Sequence, residues 1–205
     1  MPRRLTPKGA RRRRDLMEFA GHAFAADGYH ATSVSDIVDG LGVGKGVFYW
    51  YFKSKDELLT EILADSLRSL RLAQRDAIAG EHDPARRIEQ GIRASLRWQS
   101  EHRHLFILME FARTEPRFAP IIRQGDQQAV ADALPHVSAG ITAGLLRGED
   151  PVVLTEAILG VTAHLARVLV LEGGEDPDEV ALAAIAFCRS GYVMSDNGES
   201  TRRIA

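Results

Sequence analysis

Two short apolar patterns on either side of a glycine turn constrain this chain more than any other feature. Val34, Ile37, Val38 and Leu41 recur at helical spacing over barely two turns, Gly40 and Gly42 break the run, and a second helical stretch follows from Lys45 to Phe52. That second stretch holds Phe48, Tyr49, Trp50, Tyr51 and Phe52 in an unbroken row, with Lys45, Lys53 and Lys55 around it. A helix sends consecutive side chains to every side, so five aromatics cannot all enter one core. Phe48 and Phe52, one turn apart, are the expected inward pair. Gly46, Val47, Tyr49 and Trp50 then form an outward face edged by lysines, which suits a flat-edged polyanion; the bland alternative is an aromatic helix packed in a domain interface. Two short helices joined by a tight glycine-containing turn are the helix-turn-helix pattern, whose second helix enters the DNA major groove.

On that reading, Gly44 and Gly46 let the backbone come close, Val47 meets a thymine methyl, and Tyr49 and Trp50 reach sugar and phosphate. Ser33 is expected to cap the first of the two helices, with Asp36 closing a capping box. Ser54-Lys55-Asp56-Glu57 forms a second box and puts Lys55 in the first turn of the next helix. A cation is unfavourable there unless a phosphate lies within reach. Thr32, Ser33, Gly44, Lys45, Gly46, Val47, Tyr49, Trp50, Tyr51 and Lys55 are the candidate DNA-binding residues. The net charge of −2 would by itself predict no nucleic acid, but the charge is unevenly distributed. Residues 1 to 60 carry ten Lys or Arg against seven Asp or Glu, and all seven ionic residues before Asp15 are basic: Arg3, Arg4, Lys8 and Arg11 to Arg14. Such an arm is attracted to phosphates.

Residues 11 to about 70 resemble the N-terminal domain of TetR-family transcriptional regulators, the match running through FAADGYHATSVSDIVDGLGVGKGVFYWYFKSKDELL. Two positions depart from the commonest pattern: Gly44 stands where many members have Ser or Thr, removing a side-chain helix cap, and Tyr51 stands where His is frequent. The resemblance implies a homodimer and a pocket that senses a small molecule.

The rest of the chain is helical in pattern, with no alternating strand signal, so the expected fold is all-α with about nine helices. A basic arm and helix-turn-helix domain (1–55) leads through a linker helix (54–79) to a ligand-binding and dimerisation domain (80–194), with Gly80 to Pro84 as the boundary and a solvated tail over 195–205. Pro116, Pro120 and Pro135 are expected to interrupt a looser helical region. The last two helices, Pro151 to Glu172 and Pro177 to Met194, are expected to pair with their counterparts in a second copy, since the first is apolar on several faces and the second offers a stripe of small residues. Leu165, Ala181, Ala184, Ile185 and Cys188 are the candidate dimer residues. An intrachain core is the alternative. Trp98, Phe106, Met109, Glu110, Arg113, His164 and Arg167 are candidates for a mostly apolar ligand pocket, against the reading that the polar ones pair with each other or reach the rim.

No phosphate-binding loop, nucleophile elbow or dinucleotide fingerprint occurs, and His102 and His104 are two apart, unlike a zinc pair. Neither a metal, a cofactor nor an enzymatic activity is expected. The lone Cys188 fits a reduced, cytoplasmic setting, and Glu156, His164 and Arg167 argue against a membrane span in Val152 to Leu171. The expected function is a homodimeric transcriptional regulator, most simply a repressor, released from a palindromic operator by an effector. The alternative is a helical small-molecule-binding or interaction protein whose helix-turn-helix is vestigial.

Overall fold

The structure, a computed structural model, describes residues 6–192; the outermost arm and the tail expected over 195–205 lie outside the described residues. Nine α-helices follow one another without a strand among the described residues: α1 (Pro7–Asp27), α2 (Val34–Gly40), α3 (Lys45–Tyr51), α4 (Lys55–Ile78), α5 (Pro84–Glu101), α6 (Arg103–Thr114), α7 (Ala119–Thr142), α8 (Pro151–Leu165) and α9 (Pro177–Tyr192). α8 runs on into a π-helical segment, Ala166–Glu172.

The helix boundaries have local causes. Thr6 caps α1 by accepting from the Gly9 amide at 3.2 Å, and Pro7 occupies the first turn, where its missing N–H costs nothing. Gly28 stops the helix at a φ of 90°, a conformation that side chains resist. Ser33 and Asp36 form the expected capping box of α2. Gly42, at a φ of 63°, makes the turn. Gly40 is helical instead, and its missing side chain leaves room for the Phe19 ring. The prolines do not loosen the region after α6: α7 is continuous over 24 residues, with Pro120 in its first turn and Pro135 inside it.

Two compact units divide the chain, each made of two stretches. The first takes the chain up to Arg71 together with Glu101–Asp126, and the second takes Leu72–Ser100 together with the chain from Gln127. The division falls within α4, after Arg71 and ahead of Gly80 to Pro84, and Glu101–Asp126 joins the first unit because α6 packs against α1. In the first unit Leu16, Phe24, Ile37, Phe48, Phe52, Leu58, Leu59 and Leu63 are almost wholly buried, along with Leu108 and Ile122. In the second, α9 lies against α8 and the π segment. There Ala181, Ala184, Ile185 and Cys188 are buried inside the single chain. Side chains closed in this way within one protomer leave little surface to give to a second, which directs a pairing surface to their neighbours. Leu165 is partly buried. The opposite faces carry the exposed apolar residues, Val152 and Val153 on α8, and Leu182 (54% exposed) and Phe187 (66%) on α9.

Candidate nucleic-acid interface

α3 divides as its sequence predicts. Phe48 and Phe52 are sealed inside, their rings 5.8 Å apart, while Tyr49 (56% exposed) and Trp50 (53%) face outward. Gly44, Lys45 and Gly46 are exposed and Val47 half-buried on the same short helix. A side chain at Gly44 or Gly46 would meet nothing, so the protein surface there is open to an approaching ligand. Gly44 caps α3 without a side-chain hydrogen bond, the consequence expected of glycine at that position. Trp50 stands edge-on to Tyr51, ring centroids 4.5 Å apart, which braces the outward indole.

The other candidates separate into surface and support. Ser33 is exposed at the start of α2 with its hydroxyl in the capping box. Thr32 is buried, and its hydroxyl donates to the Gly28 carbonyl at 2.9 Å. Lys55 does not point at solvent to await a phosphate. Its ammonium donates to the carbonyls of Tyr29 (2.7 Å) and Thr32 (2.8 Å) and lies 4.3 Å from the centre of the Tyr29 ring. Burial lowers its pKa, with Asp56 acting the other way. A cation in the first turn of α4 is thus explained by the two carbonyls of the α1–α2 loop. In the second capping box the Glu57 amide donates to the Ser54 hydroxyl at 3.1 Å, while the Glu57 carboxylate accepts from the Lys53 amide, one residue earlier than the box requires.

Around Lys55 a polar cluster joins three parts of the first unit. The Tyr29 hydroxyl donates to Asp56, Arg117 bonds Asp56 at 2.9 Å and Glu115 at 3.2 Å, and His30 sits 3.5 Å from Glu115. Burial and the Asp56 bond push the Tyr29 phenol well above the usual tyrosine pKa. Phe111 and Phe118 pack around the same Tyr29 ring. The turn before α2 and the start of α4 are therefore fixed by the α6–α7 corner as well as by one another.

Helical geometry also sorts the arginine run. Arg13 turns inward, paired with Glu61 and 5.1 Å from the Phe52 ring centre. Arg12 turns instead toward α3. With Thr6, Lys8 and Gly9 it forms one wall of an open cleft of about 440 Å³, whose other wall is Gly46, Val47, Trp50 and Tyr51. Lys8 and Arg12 were not among the candidates. Their signal was available in Thr6-Pro7, a cap followed by proline, which starts α1 two turns before its first apolar residue.

The candidate ligand residues are split between the units, with Phe106, Met109, Glu110 and Arg113 in the first and Trp98, His164 and Arg167 in the second. Trp98, Phe106 and Met109 are buried. The charged ones pair locally: Arg113 reaches Glu110 at 3.4 Å and Asp126 at 2.7 Å, and Arg167 reaches Glu172 at 2.9 Å and His164 at 3.4 Å. His164 is exposed. These charged pairings are local, each within its own unit. Among the described residues no group of three His, Cys, Asp or Glu could hold a metal.

A sequence profile described as "Bacterial regulatory proteins, tetR family" matches residues 16–62, which include all of α2 and α3. Among named proteins, the chain is 34% identical over 122 residues to the HTH-type transcriptional repressor KstR2 of Mycobacterium tuberculosis, covering 57% of this chain and 60% of that protein. It is 23% identical over 195 residues to the uncharacterized HTH-type transcriptional regulator YdgC of Bacillus subtilis, covering 93% and 97%. The match thus spans about three fifths of the first of these relatives. Among solved structures, the ketosteroid transcriptional regulator KstR2 of Mycobacterium tuberculosis superposes with a TM-score of 0.72 at 26% identity, covering 90% of this chain and 96% of that one. A TetR/AcrR-family regulator from Thermobifida fusca does so with a TM-score of 0.73 at 26% identity, covering 88% and 98%. A helix-turn-helix matched by the profile, on a helical body that follows solved regulators over about nine tenths of its length, is what this chain shares with the tetR family of bacterial regulatory proteins.

Proposed function

We propose that the protein is a homodimeric DNA-binding transcriptional repressor that leaves a palindromic operator when a small-molecule effector binds its body. The observation that carries this reading is the outward face of α3, where Val47, Tyr49 and Trp50 stand exposed or half-exposed on a helix anchored by the buried Phe48. An unpartnered aromatic face beside Lys45 fits a major groove, with Val47 against a base edge and the rings against the backbone. KstR2 is named a repressor and a ketosteroid regulator, which supports repression here and suggests an apolar effector. Two copies are needed because a palindrome repeats its half-sites about 34 to 36 Å apart. The surface for that pairing is the exposed face of α8 and α9 around Val153, Leu182 and Phe187.

The test is to pass fragmented genomic DNA over the purified protein and sequence what it retains. Enrichment of fragments sharing an inverted repeat, with binding that survives competitor DNA, is the expected result; uniform retention refutes the reading. Phe187→Glu, placed on the exposed face, should give a monomer by light scattering, with loss of the enriched fragments. A Phe187→Glu dimer would put the pairing surface elsewhere.

A further inference from the structure

We infer that the cleft between the first two turns of α1 and the outward flank of α3 is a sugar-phosphate site, in which Lys8 and Arg12 grip one DNA strand against the wall made by Trp50 and Tyr51. It rests on the DNA-binding reading above and adds to it a contact that α3 alone does not make. Three observations converge on the same occupant.

The charge is one-sided. Lys8 and Arg12 make no ion pair with any described residue, whereas Arg13, between them and the core, is neutralised by Glu61. Spacing is the second. Four residues on a helix rise about 6 Å and keep to one face, so the two cations form a stripe along a strand and can hold neighbouring phosphates. The third is the opposite wall. Trp50, braced edge-on by Tyr51, offers ring surface to a deoxyribose and an N–H to a phosphate oxygen, and at Gly46 no side chain fills the space between the walls. A basic wall facing an aromatic one suits an alternation of phosphate and sugar better than it suits a free anion, which would need only the cations. The α1 wall is also fixed before DNA arrives, because Thr6 caps the helix and Arg13 pins it to α4 and to Phe52.

Contacts of this kind position a protein without reading sequence. Replacing Lys8 or Arg12 with Gln in the full chain should therefore lower affinity for every DNA alike and leave the ratio of selected to random fragments unchanged. Each change should reduce the slope of log affinity against log salt by about 0.9, and both together by about 1.8. Between 50 and 200 mM salt, that makes the loss of affinity about 3.5-fold smaller for each residue removed. Ethylating the phosphates of a selected fragment one at a time locates the contact: a position that weakens the wild type should no longer matter to Arg12→Gln. Wild-type slopes in both single variants, or a loss confined to the preference at one base pair, would overturn the assignment. The experiment is run on random DNA as well as on selected fragments. Reduced slopes on random DNA with no fragment enriched would uphold the cleft and reject the repressor.

Discussion

Lys55→Met separates two roles that one lysine cannot fill at once. The ammonium holds the Tyr29 and Thr32 carbonyls at 2.7 and 2.8 Å and lies over the Tyr29 ring. Hydrogen bonds to a charged group are each worth about 1.5 to 3 kcal/mol, and a cation over a ring about 0.5 to 2. Against this, the freed side chain recovers up to about 2 kcal/mol of rotamer entropy, and water can enter where the ammonium stood to bond the two carbonyls. The net cost is about 2 kcal/mol, which for a chain of this size lowers the melting temperature by about 4 to 8 °C. Methionine keeps the unbranched stem, so the change isolates the ammonium. Trp98→Phe leaves Trp50 as the only tryptophan of the two, and its fluorescence then follows the unit that contains Lys55. Were Lys55 a phosphate ligand instead, Lys55→Met would leave the melting temperature alone and reduce the salt slope of DNA binding by about 0.9. A shift under about 1 °C together with that smaller slope would refute the clamp.

Gly44→Ser should restore the cap that α3 lacks, because the site has extended backbone and open space around it. The gain, from the cap and from a stiffer unfolded chain, is about 0.5 to 1 kcal/mol, read as a rise in denaturation midpoint at unchanged m. His104 stacks on His22 at 3.8 Å, and burial, with His22 and His102 adding to it, holds its pKa below the usual imidazole value. The unfolded chain therefore binds a proton near pH 6.5 that the folded chain resists. The resulting stability is fully present above that pH and is lost as pH falls through the depressed folded value. Thermal melts at pH 7.5 and 5 should show a smaller acid-induced drop in His104→Phe than in the wild type. An equal drop would assign the effect to other groups, among them His136, which burial also depresses.

The helix-turn-helix was legible because its signals are local. A capping box, a glycine turn and two phenylalanines one turn apart each need only a few consecutive residues, and all three stand in the structure as read. The intrachain contacts of Lys55 were not legible, because its partners lie 23 and 26 residues away and are backbone carbonyls, which leave no trace in residue type. The small stripe of α9 was ambiguous for a related reason. Ala181 and Ala184 announce close helix packing, but the pattern is the same whether the partner helix belongs to the same chain or to a second one. The more informative residues were the large ones left on the other side, Leu182 and Phe187, whose exposure no periodicity reveals. The polar residues of α6 and of the segment after α8 were ambiguous in sequence, because an i, i+3 pair and a pocket-facing pair have the same spacing.

The return of the chain through α6 and the start of α7 into the first unit bears on how this protein can be cut and recombined. A fragment ending at Arg71 would retain the profile-matched residues and the reading helix, yet lose Phe111 and Phe118 from around Tyr29, and Arg117 from Asp56. Such a fragment would present an apolar flank of α1 to water. A chimera that grafts a new reading head onto this body therefore inherits a mismatch at the α6–α7 corner unless residues 101–126 travel with the head. The first unit is built from two distant stretches of sequence, and a library that varies only the first sixty residues samples one side of a matched pair.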